Sequence, residues 1–229
     1  MRTHMLETLP APPFIRIVNR LMLLCALVLF FIVPESAAQQ ADTTAGPQQS
    51  DIAEKKNEFG VWGSISVDAP TWLGKRSDAG FGNIGLRYAR VLADNETLAF
   101  SWTIDAVPVA VLAVDEVPGS LTGQRRREYT YGAGLSPIGL KLNFRARQMV
   151  QPYISGSAGF LYFSKVVPEP GAARFNFTFD GGAGIQIVRE SGHAIMIGYK
   201  WQHISNGFHA PVNPGMDLHM IQVGYSIRR

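Results

Sequence analysis

The sequence predicts an all-β protein, an eight-stranded antiparallel transmembrane β-barrel, and three observations carry that expectation. From residue 58 onward, bulky apolar residues alternate with small or polar ones at a period of two, and no comparable stretch has helical spacing. The segments so defined are joined by links that are by turns long and short, as in barrels with long external loops and tight periplasmic turns. The bulky set (Phe, Tyr, Trp, Ile) suits lipid and aromatic girdles, whereas the small set (Gly, Ser, Asn, Gln, Thr) suits a narrow lumen. A soluble eight-stranded barrel would need the reverse, with the bulky set inside.

Composition removes several other classes. With 46% hydrophobic and 17% charged residues, 23 Gly and 13 Phe in 229 residues, the chain is not disordered. Lys and Arg total 21 against 18 Asp and Glu, and a scattered net charge of +3 does not suggest nucleic acid as a partner. One cysteine, Cys25, excludes a disulfide scaffold and a Cys-based zinc site.

Along the chain, residues 1–38 read as a cleaved signal peptide. Arg16 and Arg20 precede an apolar run over 21–33, too short for a membrane-spanning helix, and Ser36-Ala37-Ala38 supplies small residues for cleavage. Cys25 lies inside that run after Leu24, where lipidation wants a small residue, so it is expected to leave with the signal. Residues 39–57, rich in Gln, Ala, Thr and Asp, read as a flexible periplasmic lead-in, and 58–229 as the barrel.

Within the barrel the first strand, 58–67, sets Phe59, Val61, Ile65 and Val67 against Gly60, Trp62, Ser64 and Ser66. The second is expected over 80–92. The third, 96–107, alternates Leu98, Phe100, Trp102 and Ile104 with Ala99, Ser101, Thr103 and Asp105. The fourth and fifth are expected over 127–144 and 151–164. The sixth, 173–189, places Phe175, Phe177, Phe179, Ile185 and Ile187 on one face. The seventh and eighth, 193–205 and 216–228, complete an even number, which returns both ends of the barrel to the periplasm. Long links are expected over 68–79, 108–126, 165–172 and 206–215. The closing Tyr225-Ser226-Ile227-Arg228-Arg229 departs from the aromatic residue on which such barrels commonly finish.

Candidate chemistry concentrates in the last thirty residues. Continuing the period of the seventh strand puts His203 and Ser205 on the face of Tyr199 and Trp201, and the eighth puts Asp217 and His219 on the face of Ile221 and Tyr225. His203, Ser205 and Asp217 thus share an outward patch beside the loop that joins their strands, at the outer leaflet. Polar residues on a lipid-facing wall are expensive, and headgroup depth alone can account for a single histidine. A serine, a histidine and an acid together form a set recognised by geometry, in which the imidazole takes the serine's proton and the carboxylate orients the imidazole. Residues two apart on one strand face lie roughly 7 Å apart, within side-chain reach. Asn206 and Asn213, in the connecting loop, are amide donors available to an oxyanion.

His203-Ile204-Ser205-Asn206, followed by Asn213-Pro214-Gly215 and an acid at 217, resembles the PagL-type lipid A 3-O-deacylases. These are eight-stranded outer-membrane barrels with a His-x-Ser-Asn motif and an acid fourteen positions after the histidine. The resemblance extends more loosely over 134–139 and the last four strands. It implies Ser205 as nucleophile, His203 as base, Asp217 as orienting acid and Asn213 as part of the oxyanion hole. It also implies hydrolysis of the ester-linked acyl chain at position 3 of lipid A, with no cofactor and lipopolysaccharide as the partner substrate. The family usually carries Glu where this chain has Asp217, and His209 and Pro211 are additions in the loop.

Three weaker patterns complete the reading. Arg125, Arg126 and Arg127 suit bidentate binding of lipid phosphates and equally a solvated loop edge. His203, His209 and His219 lack the convergent fourth ligand of a metal site, so no metal is expected. Gly181, Gly182 and Gly184 read as packing room rather than a phosphate loop. The expectation is an outer-membrane serine esterase of lipid A, with a homodimer left open. The alternatives are a non-catalytic barrel of the OmpA or OmpX kind and an esterase of another membrane lipid.

Overall fold

A computed structural model describes residues 56–115 and 127–229. The expected signal peptide, the lead-in short of residue 56, and Arg125 and Arg126 lie outside the described residues. Eight strands follow in order: β1 (Asn57–Asp68), β2 (Gly80–Asp94), β3 (Leu98–Asp115), β4 (Arg127–Phe144), β5 (Val150–Val167), β6 (Ala173–Val188), β7 (His193–Ser205) and β8 (Met216–Arg228). Each pairs antiparallel with the next, and β1 pairs with β8 from Glu58↔Arg228 to Asp68↔His219, closing the barrel and leaving no free edge. One end carries the tight turns and the seam between Asn57 and Arg229, whose amides and carbonyls exchange two bonds. The opposite end carries the links 69–79, 168–172 and 206–215, with the adjoining ends of β3 and β4.

The wall is apolar outward and largely polar inward. Phe59, Leu86, Leu140, Phe177, Phe179, Ile195 and Ile197 are exposed, whereas Ser64, Asn83, Thr103, Asn143, Gln151, Thr178 and Gln186 are buried in the lumen. This is the inverse of a water-soluble barrel and the arrangement lipid demands.

Two differences from the expectation are physical in origin. β3 continues to Asp115, beyond residue 107, and its register slips between Val107 and Ala110, so that Pro108 and Val109 both face outward. Proline has no N–H for the ladder and sits at such a bulge, and the slip breaks the alternation that would have announced the rest of the strand. β5 likewise runs to Val167, shortening the link that follows to 168–172.

The lumen is also not uniformly small and polar. Near the turn end, Glu58 accepts bonds from Arg228 Nε (2.9 Å), Ser226 Oγ (2.8 Å) and Gln186 Nε2 (3.0 Å), with Lys141 Nζ at 3.6 Å. At mid-height Arg87 grips both oxygens of Asp105 at 2.7 Å, Trp62 Nε1 donates to the same carboxylate, and Lys200 lies 4.5 Å from the Trp62 ring. Toward the loop end Phe81, Leu112, Leu161, Phe163, Ile204, Met216, Leu218 and Met220 are fully buried in one apolar cluster. Ile204, Met216 and Leu218 are the inward neighbours of His203, Ser205 and Asp217. The cluster therefore fixes the strand ends that bear the candidate site.

Candidate active site

His203 and Asp217 face each other directly, as a cross-strand pair of β7 and β8. Such pairs have Cβ atoms about 5 Å apart, so a short acid suffices, and His203 Nδ1 lies 2.6 Å from Asp217 Oδ1. The missing methylene relative to Glu is thus no obstacle to contact. Inward burial of Gln202 and Ile204 leaves His203 and Ser205 on the wall face, two residues apart, with Phe177 of β6 as the register partner of Ser205.

Asp217 departs from the expectation of a lipid-exposed acid. By parity it belongs to the outer face, yet its side chain is 0% exposed, against 18% for His203. The cover is the β1–β2 loop. Its backbone amides at Trp72 (2.9 Å), Leu73 (2.6 Å) and Gly74 (2.9 Å) all donate to Asp217 Oδ2. The buried carboxylate therefore has four partners, which meets the desolvation that burial imposes.

The loop is held by further contacts. Lys75 N–H donates to the Pro214 carbonyl at 2.7 Å, and Arg76 bridges to Met216 in parallel. Arg76 also binds Asp78 through two nitrogens and Glu169 Oε2 at 2.9 Å. The approach needs glycine on both sides: a Cβ on Gly74 would fall 2.7 Å from Met216 N, and one on Gly215, at φ +64°, would fall 3.2 Å from both Gly74 Cα and His203 Cε1.

The two asparagines differ. Asn206 is buried, and its side chain braces the loop, donating one Nδ2 hydrogen to Val212 O (2.7 Å) and accepting from Phe208 N (3.0 Å). Asn213 Oδ1 accepts Asn206 N–H at 3.0 Å, which orients its Nδ2 away from that bond and leaves the amide hydrogens without a partner among the described residues.

The remaining candidates have other partners. Arg127 lies 4.0 Å from Asp115 Oδ1 and reaches the Asp78 carbonyl, so it forms part of the loop-end polar network. His209 packs on Phe175 and Phe177, and His219 contacts Tyr199 and the Trp72 ring, so each histidine has its own partners. The residues that pattern reading missed are Trp72, Leu73 and Gly74. They act through backbone N–H groups, which every non-proline residue carries, and only Gly74 leaves a trace, as a glycine where two backbones meet.

Among solved structures the barrel resembles the crystal structure of the outer membrane enzyme PagL, at 17% identity over 73% of this chain and 98% of that one, with a TM-score of 0.51. It also resembles the outer membrane protein OprG from Pseudomonas aeruginosa (13% identity, 76% and 97% covered, TM-score 0.46) and Neisserial surface protein A (12%, 76% and 97%, 0.43). At 17% identity the likeness to the PagL structure is one of fold. A search of curated proteins found no match. The family model described as lipid A 3-O-deacylase (PagL) matches residues 58–226, almost the whole barrel, and the chain accordingly belongs to that family of outer-membrane β-barrel enzymes.

Proposed function

We propose that this protein is a serine esterase that removes the ester-linked acyl chain at position 3 of lipid A, working at the outer leaflet through Ser205, His203 and Asp217. The observation that carries the reading is the 2.6 Å bond from His203 to a buried, amide-held Asp217 on the wall face that also bears Ser205. Family membership supplies the substrate class.

With Nδ1–H given to Asp217, His203 keeps Nε2 free as the base. Ser205 Oγ attacks the ester carbonyl as its proton passes to Nε2, and Asn213 Nδ2 donates to the oxyanion. Collapse breaks the bond to the sugar oxygen, which takes the proton from His203 and leaves an acyl-Ser205. Water, deprotonated by His203, then releases the fatty acid and restores the serine. Because Ser205 faces outward beside Phe177, the acyl chain reaches it along the barrel's outer wall.

Mass spectrometry of lipid A from cells making wild-type protein or Ser205→Ala tests the reading. Loss of one hydroxyacyl mass with wild type and none with the variant is expected. Unmodified lipid A from both, with each barrel folded in the outer membrane, overturns it; equal activity of the variant overturns Ser205 alone.

A further inference from the structure

The mechanism uses the side chains of Ser205, His203, Asp217 and Asn213 and leaves the β1–β2 loop unassigned, although that loop makes most of the contacts to the acid. We infer that the loop is a positioning element: the amides of Trp72, Leu73 and Gly74 form a nest that holds the Asp217 carboxylate in the orientation His203 requires. The inference rests on the triad proposed above and adds to it the part that fixes its acid.

Two sets of contacts support it. Three N–H groups converge on one oxygen, Oδ2, leaving Oδ1 as the face turned to His203. A carboxylate on a one-carbon stem can rotate about χ2, and this broad torsion supplies no preference of its own. Convergence on one oxygen removes that freedom. Consecutive amides aimed at one point make an anion-binding concavity, here filled by a side chain of the protein itself.

The loop is also seated independently of the carboxylate. The Trp72 ring lies edge-on to His219 at 4.8 Å and stacks with Trp201 at 6.3 Å, and Trp201 in turn stacks with His203. One residue thus donates an amide to the acid and lays its ring over the strands that carry the dyad. Trp72 and Leu73 remain 66% and 68% exposed as whole residues, so they are not there to fill a core. Gly74 is the contact point: its φ lies outside the left-handed region, so alanine is conformationally allowed and is excluded only by the Met216 and Gly215 backbone.

The test compares wild type, Ser205→Ala, Gly74→Ala and Trp72→Ala, all refolded in detergent micelles and confirmed as closed barrels by heat-modifiable gel mobility. Rates of lipid A deacylation are measured alongside labelling of Ser205 by a fluorophosphonate, which needs an activated serine but no lipid. Gly74→Ala is expected to lower kcat by about 10- to 1,000-fold with KM within about threefold of wild type, and to slow labelling by a similar factor. Trp72→Ala is expected to give a smaller loss of the same kind. The His203 Nδ1 proton is expected to give a downfield NMR resonance in wild type, and that resonance should shift or broaden in Gly74→Ala. Gly74→Ala with wild-type kcat and labelling in a folded barrel overturns the nest while leaving the triad standing. So does a loss confined to KM. If wild type itself neither deacylates nor labels, and matches Ser205→Ala, the underlying function fails instead.

Discussion

Replacing Asp217 by Asn separates the acid's charge from its shape, and the structure sets the expected size of the effect. The carboxylate divides its oxygens between two donors' sites, the amide nest at Oδ2 and His203 at Oδ1. Asparagine offers one oxygen and one NH2 group, so only one site can receive an acceptor. Turning the NH2 toward the nest would set it against three N–H groups, and the buried one at Gly74 alone would lose its acceptor at about 1–3 kcal/mol, with smaller costs at the part-buried Trp72 and Leu73 amides. The oxygen therefore goes to the nest and the NH2 to His203. Facing a donor, His203 must carry its proton on Nε2, the nitrogen that has to accept the proton of Ser205.

The barrel should fold normally while turnover falls about 10,000-fold, the size this tautomer trap has in serine proteases. That factor corresponds to about 5 kcal/mol of lost transition-state stabilisation. The assay is the initial rate of 3-hydroxy fatty acid release from purified lipopolysaccharide in micelles, with fluorophosphonate labelling as the substrate-free control. A folded Asp217→Asn barrel within about tenfold of wild type in both assays would refute the claim that this carboxylate sets the histidine's tautomer.

Two more perturbations follow from the same geometry. Asn213→Asp keeps an oxygen to accept Asn206 N–H, preserving the loop, and replaces the free NH2 by an acceptor; kcat should fall about 100- to 1,000-fold with little change in KM, by steady-state kinetics. A KM effect alone would assign Asn213 to binding. Glu58→Ala leaves Arg228 and Lys141 buried without their counter-charge and should destabilise the barrel by about 3–5 kcal/mol, measured as the urea midpoint in micelles, with turnover of the folded fraction unchanged. An unshifted midpoint would remove Glu58 from the list of what holds the turn end together.

What could be read from the sequence was what repeats. The period of two located β6, β7 and β8 to within a residue and set their inward and outward faces, because a lipid-bathed wall leaves little choice at each position. It failed in β3 after Val107, where Pro108 and a register slip bring two successive residues to the same side. The candidate site was legible to the extent that it is made of side chains: parity put His203 and Asp217 on adjacent strands beside their loop, and the structure makes them register partners. Asp217's burial was not legible, since parity describes a bare strand and is silent about a loop folded over it from the opposite end of the chain. The loop-bracing bonds of Asn206 were equally invisible, since its partner Val212 O is a backbone carbonyl that pattern reading cannot single out.

The outward aspect of His203 and Ser205, set against a lumen packed from Glu58 at one end to Phe81 and Phe163 at the other, determines how substrate is supplied. Under the proposed reaction, a lipid would meet the dyad by sliding sideways within its own monolayer, so encounters would scale with molecules per unit of membrane area rather than per volume of water. On that reading, an inhibitor directed at Ser205 would act according to how well it partitions into that layer, and its potency would be better expressed as a mole fraction of lipid than as a molarity.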